Sequence, residues 1–127
     1  MSKTETETHE RAYRVILNDF CTDEEFELVK KWHGENDPVA VRIIGFYKMK
    51  GYRVPVDTCG GWEELNRASD LGDLLAMTFI GLSWCRGIGI NDFRITPSYG
   101  TYIRGRALVE KAANMGWKPA AELLKTL

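Results

Sequence analysis

The side chains able to do chemistry are few and scattered. His9 and His33 are the two histidines; His9 lies beside a polar N-terminal stretch and His33 beside Gly34, so both read as surface or capping residues. Glu24-Glu25 and Glu63-Glu64 are carboxylate pairs of the kind that general acid–base catalysis uses. Each pair falls where a helix is expected to begin, and a helix N-terminus favours negative charge without any catalysis. Cys21, Cys59 and Cys85 are an odd set with no CxxC spacing, which argues against zinc or a disulfide framework and for reduced, partly buried thiols. Gly87-Ile88-Gly89 lacks the remainder of a phosphate-binding glycine motif. No catalytic set, metal site or cofactor is expected.

The bulk composition points the same way. The chain has 127 residues and a formal charge of −1, enough for one domain and with no general attraction to nucleic acid or an anionic membrane. Its cations are scattered, so nucleic acid is not expected as a partner. No apolar run reaches the ~18–20 residues that span a bilayer, and the polar start MSKTETETHE is unlike a signal peptide. A cytoplasmic protein without membrane contact is the expectation.

The elements that would position these side chains follow from helix punctuation. Residues 1–8 read as a solvated tail. Residues 9–20 fit a strand through Tyr13, Val15 and Leu17 or a helix through Ala12, Val15, Ile16 and Phe20, and the helix is preferred. Thr22 and Glu25 form a capping box that starts a helix running to about His33. Asp37-Pro38 caps the next, which Gly51 ends. Further helices are expected from Trp62 to Leu71, Asp73 to Arg86, Tyr102 to Met115 and Pro119 to Leu127, with Pro97 and Gly100 marking an irregular excursion between the helix that ends at Arg86 and the one that begins at Tyr102.

The helices repeat. Ala40, Gly45, Gly51 and Val54 align with Ala76, Gly81, Gly87 and Ile90, each 36 residues on (76 − 40, 81 − 45, 87 − 51, 90 − 54). The run Arg67–Gly72 aligns with Lys111–Gly116 at an offset of 44 (116 − 72). The additional 8 residues (44 − 36) match an insertion at 93–101. A fixed period of this length is the mark of stacked helical hairpins. Small residues at Ala40, Gly45, Ala68, Ala76, Gly81, Ala112 and Ala120 are placed to let helix axes approach.

The joint pattern resembles the Sel1-like repeat, a relative of the tetratricopeptide repeat. Its motif of Ala, Leu-Gly, Gly, a Gly-Val-type loop with Asp, then Lys-Ala-Ala-x-x-Gly is matched by Ala40, Ile44-Gly45, Gly51, Val54-Pro55, Asp57, Arg67-Ala68-Ser69 and Gly72. The second unit supplies Ala76, Ile80-Gly81, Gly87, Gly89-Ile90, Asp92, Lys111-Ala112-Ala113 and Gly116. A third begins at Ala120, Leu124 and Lys125. Gly60 and Gly61 depart from the pattern, which has good helix formers there, and Asn36 stands in for a glycine. The resemblance implies an all-α fold, a short right-handed α/α solenoid in one domain over 9–127. Its units are 37–72 and 73–116, with partial units at 22–36 and 117–127. Cysteine-rich relatives linked to β-lactam chemistry carry a cysteine pair in each repeat; this chain does not, and no such activity is expected.

The resemblance also implies a protein–protein interaction module, an adaptor, regulator or inhibitor. By position, the first helix of each unit lines the binding face. The first unit would present Arg42, Phe46, Met49 and Lys50, the second Thr78, Leu82, Cys85 and Arg86, a mixed apolar and cationic surface suited to a protein or peptide partner with acidic groups. Trp62, at an expected helix start, reads as half-exposed and as a further contact, whereas Trp84 reads as core. Phe93, Tyr99 and Tyr102 make the 93–101 loop a second candidate contact. On this reading, reversing Arg42 and Arg86 to Glu abolishes partner capture and leaves the melting temperature nearly unchanged. The alternative is a small-molecule binder or enzyme with a pocket between that loop and the groove, using Asp92 or Arg94. Leu123, Leu124 and Leu127 would allow self-association through the last helix if they stayed uncovered.

Overall fold

The computed structural model describes residues 21–86 and 99–127. These form six helices: α1 (Asp23–Gly34), α2 (Pro38–Lys50), α3 (Thr58–Asp70), α4 (Leu74–Cys85), α5 (Tyr99–Asn114) and α6 (Lys118–Leu124). Among the described residues there is no strand. Consecutive helices pack on one another, most extensively in the hairpins α2–α3 and α4–α5. Expectations for 1–20, Phe93 and most of the 93–101 excursion lie outside the described residues.

Helix starts follow the capping chemistry. The Thr22 hydroxyl accepts from the Glu25 amide, and the Glu25 carboxylate accepts from the Thr22 amide, so two otherwise orphaned donors at the helix start are satisfied. Asp37 and Asp73 cap α2 and α4, accepting from Ala40 N at 3.0 Å and Ala76 N at 2.9 Å. The residue before each unit is left-handed: Asn36 has φ 60°, Gly72 101° and Gly116 99°. Asn36 therefore does the work of a glycine, as its short polar side chain permits.

Two boundaries differ from the sequence reading. α3 starts four residues before Trp62 (62 − 58), because the Asp57 carboxylate accepts from Gly60 N at 2.9 Å and caps it there. α5 starts at Tyr99, so the last residues of the expected excursion are helical.

The glycines of the hairpins are paired. A Cβ on Gly45 would stand 3.0 Å from the Gly61 carbonyl oxygen, and one on Gly61 would stand 2.8 Å from the Gly45 carbonyl oxygen. In the second unit a Cβ on Gly81 would lie 2.6 Å from the Gly105 carbonyl oxygen, and one on Gly105 would meet the Gly81 carbonyl still more closely. Gly61 and Gly105 differ by 44 (105 − 61), the offset of the second helices. Gly61 is therefore no irregularity of α3. It is the other half of a close backbone approach made at equivalent positions in both hairpins, and more tightly in the second.

Large apolar side chains fill the space around these contacts. Val41, Trp62, Leu65, Ala68, Ala76 and Ile80 form a buried cluster across α2, α3 and α4. α4 is apolar on every side, as a helix sandwiched between neighbours must be. Leu123, Leu124 and Leu127 pack as half-buried residues onto Met77, Val109, Ala112 and Ala120, so most of the expected open apolar end is covered.

Candidate protein-binding face

The face expected to meet a partner divides into a buried stripe and an accessible one. Arg42 and Thr78 hold equivalent places (78 − 42 = 36), and both are inside: Arg42 is 3% exposed and Thr78 5%. Thr78 Oγ1 donates to the Leu74 carbonyl at 2.8 Å. Arg42 Nε lies 2.6 Å from Asp73 Oδ2. The expectation that Arg42 and Thr78 line a solvent-facing surface is corrected here: this stripe turns toward the neighbouring unit, where the carboxylate that caps α4 needs a counter-charge. Burial pushes the Asp73 carboxyl above its ordinary range, against the opposing pull of Arg42 and of the Ala76 amide. An Arg42→Glu variant would place two carboxylates together in the interior, so it cannot leave the melting temperature unchanged.

Trp62 is also corrected. It is 3% exposed, and its ring lies 5.6 Å from that of Phe79. With α3 beginning at Thr58, Trp62 sits within the helix and faces the core. Trp84, read as core, is half-buried, packs beside the Val41–Ile80 cluster and lines an open hollow with residues of α5.

One stripe does reach solvent. Phe46 and Lys50 lie one turn apart on α2, as do Leu82 of α4 and Arg86, its C-cap, and the period relates them (82 − 46 = 36, 86 − 50 = 36). Phe46 and Leu82 are half-buried, and Lys50 and Arg86 are exposed. The Phe46 ring stands edge-on to Phe79 at 5.1 Å, which ties the stripe on α2 to that on α4. Met49 is half-buried against the same cluster and adjoins Gly61. Each unit thus offers an apolar residue with a cation one turn beyond it. Cys85 is half-buried; its thiol lies 3.6 Å from the Tyr102 carbonyl, and burial raises its pKa. Cys21, Cys59 and Cys85 form no disulfide.

A polar network escaped the sequence reading. His33 Nε2 lies 2.5 Å from Glu64 Oε2. Arg67 reaches Glu64 Oε2 at 3.2 Å and Asn36 Oδ1 at 2.8 Å, and Lys48 Nζ is 3.9 Å from Glu64 Oε1. The Glu64 side chain is 14% exposed and that of His33 29%. Glu64 was expected in a first turn, but α3 begins six residues earlier (64 − 58), so the carboxylate is held by His33 of α1, Lys48 of α2 and Arg67 of α3. No repeat signal pointed to it, since the repeat offsets place Ser69 and Leu108 at the positions equivalent to His33 and Glu64.

Among the described residues no group of three His, Cys, Asp or Glu could hold a metal ion, and no helix is long and apolar enough to cross a membrane.

This architecture is that of the Sel1-like repeat. The crystal structure of a Sel1 repeat protein from Oxalobacter formigenes is similar over 96% of this chain and 88% of that one, with TM-score 0.65 and 22% sequence identity. The chain therefore has the Sel1 repeat fold, a solenoid of helical hairpins. No protein-family model matches the sequence, and no curated protein matches it.

Proposed function

We propose that this protein is a non-catalytic interaction module, an adaptor, regulator or inhibitor working in the cytoplasm, and that it binds an acidic protein or peptide through the first helices of its units. The observation that carries this reading is the repetition of Phe46–Lys50 as Leu82–Arg86, half-buried apolar residues each followed one turn later by an exposed cation. A periodic surface of this kind suits a partner that lies across successive units. Met49 adds apolar contact. Arg42, Trp62 and Thr78 contribute by holding the helices in place rather than by touching the partner. Phe93 and Tyr99 remain a second contact in this proposal.

The test is affinity capture with the wild-type chain and a Lys50→Glu/Arg86→Glu variant, read by mass spectrometry. Partners retained by the wild type should be lost by the variant at an unchanged melting temperature. Equal capture by both would overturn the assignment of this face. Deleting residues 94–98, which leaves α5 whole, separately asks whether the loop carries the contact. Light scattering should return the mass of a monomer, since the last helix covers most of its apolar residues.

A further inference from the structure

The two units differ at one equivalent place, and the difference leaves a gap. In the first unit Lys48, Glu64 and Arg67 meet there, with His33 reaching across from α1. The offsets of 36 for first helices and 44 for second helices map these onto Trp84 (84 − 48), Leu108 (108 − 64) and Lys111 (111 − 67). His33 maps onto Ser69 (69 − 33 = 36), which is too short to make the same reach. The cation is kept, as Lys111, while the carboxylate has become leucine.

The outcome is an open hollow of about 380 Å³ lined by Trp84, Arg104, Ala107, Leu108 and Lys111. Its floor is nearly all apolar. Arg104 and Lys111 are exposed, and among the described residues neither is paired with a carboxylate. They stand seven residues apart on α5 (111 − 104), about 10 Å along a helix axis. That span equals roughly three residues of extended chain.

We propose that this hollow is a second docking site, separate from the first-helix face, and that its occupant is a short acidic segment of a partner protein. One large apolar side chain of that segment rests on Trp84 and Leu108. Carboxylates on either side of it pair with Arg104 and Lys111. The carboxylate at Lys111 restores in trans what Glu64 supplies to Arg67 within the first unit. Apolar contact with the indole gives affinity, and the two cations set register and exclude basic segments.

A fluorescein-labelled pentapeptide, Asp-Glu-Phe-Glu-Asp, tests this by fluorescence anisotropy with the full chain at low salt. The wild type should bind it, and more weakly as salt rises. Lys111→Glu and Arg104→Glu should each weaken binding roughly tenfold, a reversal turning a modest attraction into a similar repulsion. Arg86→Glu should leave it within about twofold, because Arg86 belongs to the other face. A peptide with Ser in place of Phe should bind poorly. If either reversal alters the circular dichroism spectrum, Lys111→Gln and Arg104→Gln carry the same comparison with a smaller loss. The proposal is overturned if the wild type does not bind, if both reversals bind normally, or if Arg86→Glu is the variant that fails. It is also overturned if a thymidine oligonucleotide displaces the peptide at lower concentration, since the hollow would then be a nucleic-acid site. Loss of the first-helix face as a binding surface would leave this result untouched.

Discussion

Adding one methyl group at three glycines should give three different results. At Gly34 a Cβ meets nothing within 4 Å, so alanine keeps the packing and gains up to ~1 kcal/mol from reduced backbone entropy and better helix propensity. At Gly45 the Cβ would stand 3.0 Å from the Gly61 carbonyl, 3.1 Å from Glu64 Cβ and 3.2 Å from Leu65 Cγ. Shifts of a few tenths of an ångström relieve these contacts, so gain and loss should cancel to within ~1 kcal/mol. At Gly81 the Cβ would lie 2.6 Å from the Gly105 carbonyl oxygen, 2.8 Å from Val109 Cγ2 and 3.0 Å from Leu108 Cβ. A carbonyl of α5 cannot step aside alone, so α4 and α5 must separate. Overpacking of this kind costs ~1–3 kcal/mol, more than the helix gain returns. Urea unfolding of Gly34→Ala, Gly45→Ala and Gly81→Ala should rank their midpoints in that order, with Gly81→Ala below wild type. A Gly81→Ala protein as stable as Gly34→Ala would refute the close approach of α4 and α5.

Further expectations concern buried charge and local structure. Arg42→Met leaves the Asp73 carboxylate buried without its cation, which should cost ~3–5 kcal/mol at neutral pH by chemical denaturation. That loss should shrink on acidification. The Asp73 pKa is already raised in the fold, so its contribution is fully present below the unfolded pKa and is lost as pH rises through the folded one; removing Arg42 widens that window upward. Glu64→Ala removes the carboxylate shared by His33, Lys48 and Arg67 and should cost ~1–3 kcal/mol in thermal unfolding, whereas Lys30→Ala, which breaks an exposed pair with Glu27 and an exposed cation–π contact with Phe26, should cost less, about 1 kcal/mol at most. Gly51→Ala should destabilise beyond the usual helix scale, because φ is 72° there and its Cβ would collide with Val56.

The fold was legible because its signals are local and repeated. Asp37 and Asp73 before their helices, left-handed residues at 36, 72 and 116, and notches at Gly45 and Gly81 all stand in fixed register. Gly61 was misleading for a physical reason. A glycine pair looks like the edge of a helix, and its actual use, approach to another glycine sixteen residues away (61 − 45), appears only once both helices are placed. The same shift of α3 hid the burial of Trp62 and the position of Glu64. Arg42 was misassigned because position in a repeat gives a helix face only approximately. Whether a stripe meets solvent or the next unit depends on that unit, here on the Asp73 cap. The exposure of Lys50 and Arg86, at the ends of their helices, follows from charge alone, since long cationic side chains keep their heads in water.

The central claim is that a protein partner rests on the stripe formed by Phe46, Lys50, Leu82 and Arg86. A photo-crosslinking amino acid placed singly at Lys50, Arg86 or Glu27 tests it most directly, since all three sites are exposed and Glu27 lies on α1, which is not part of the stripe. Crosslinked partner should form from positions 50 and 86 and not from 27. Crosslinks from 27 alone, with none from 50 or 86, would contradict the account.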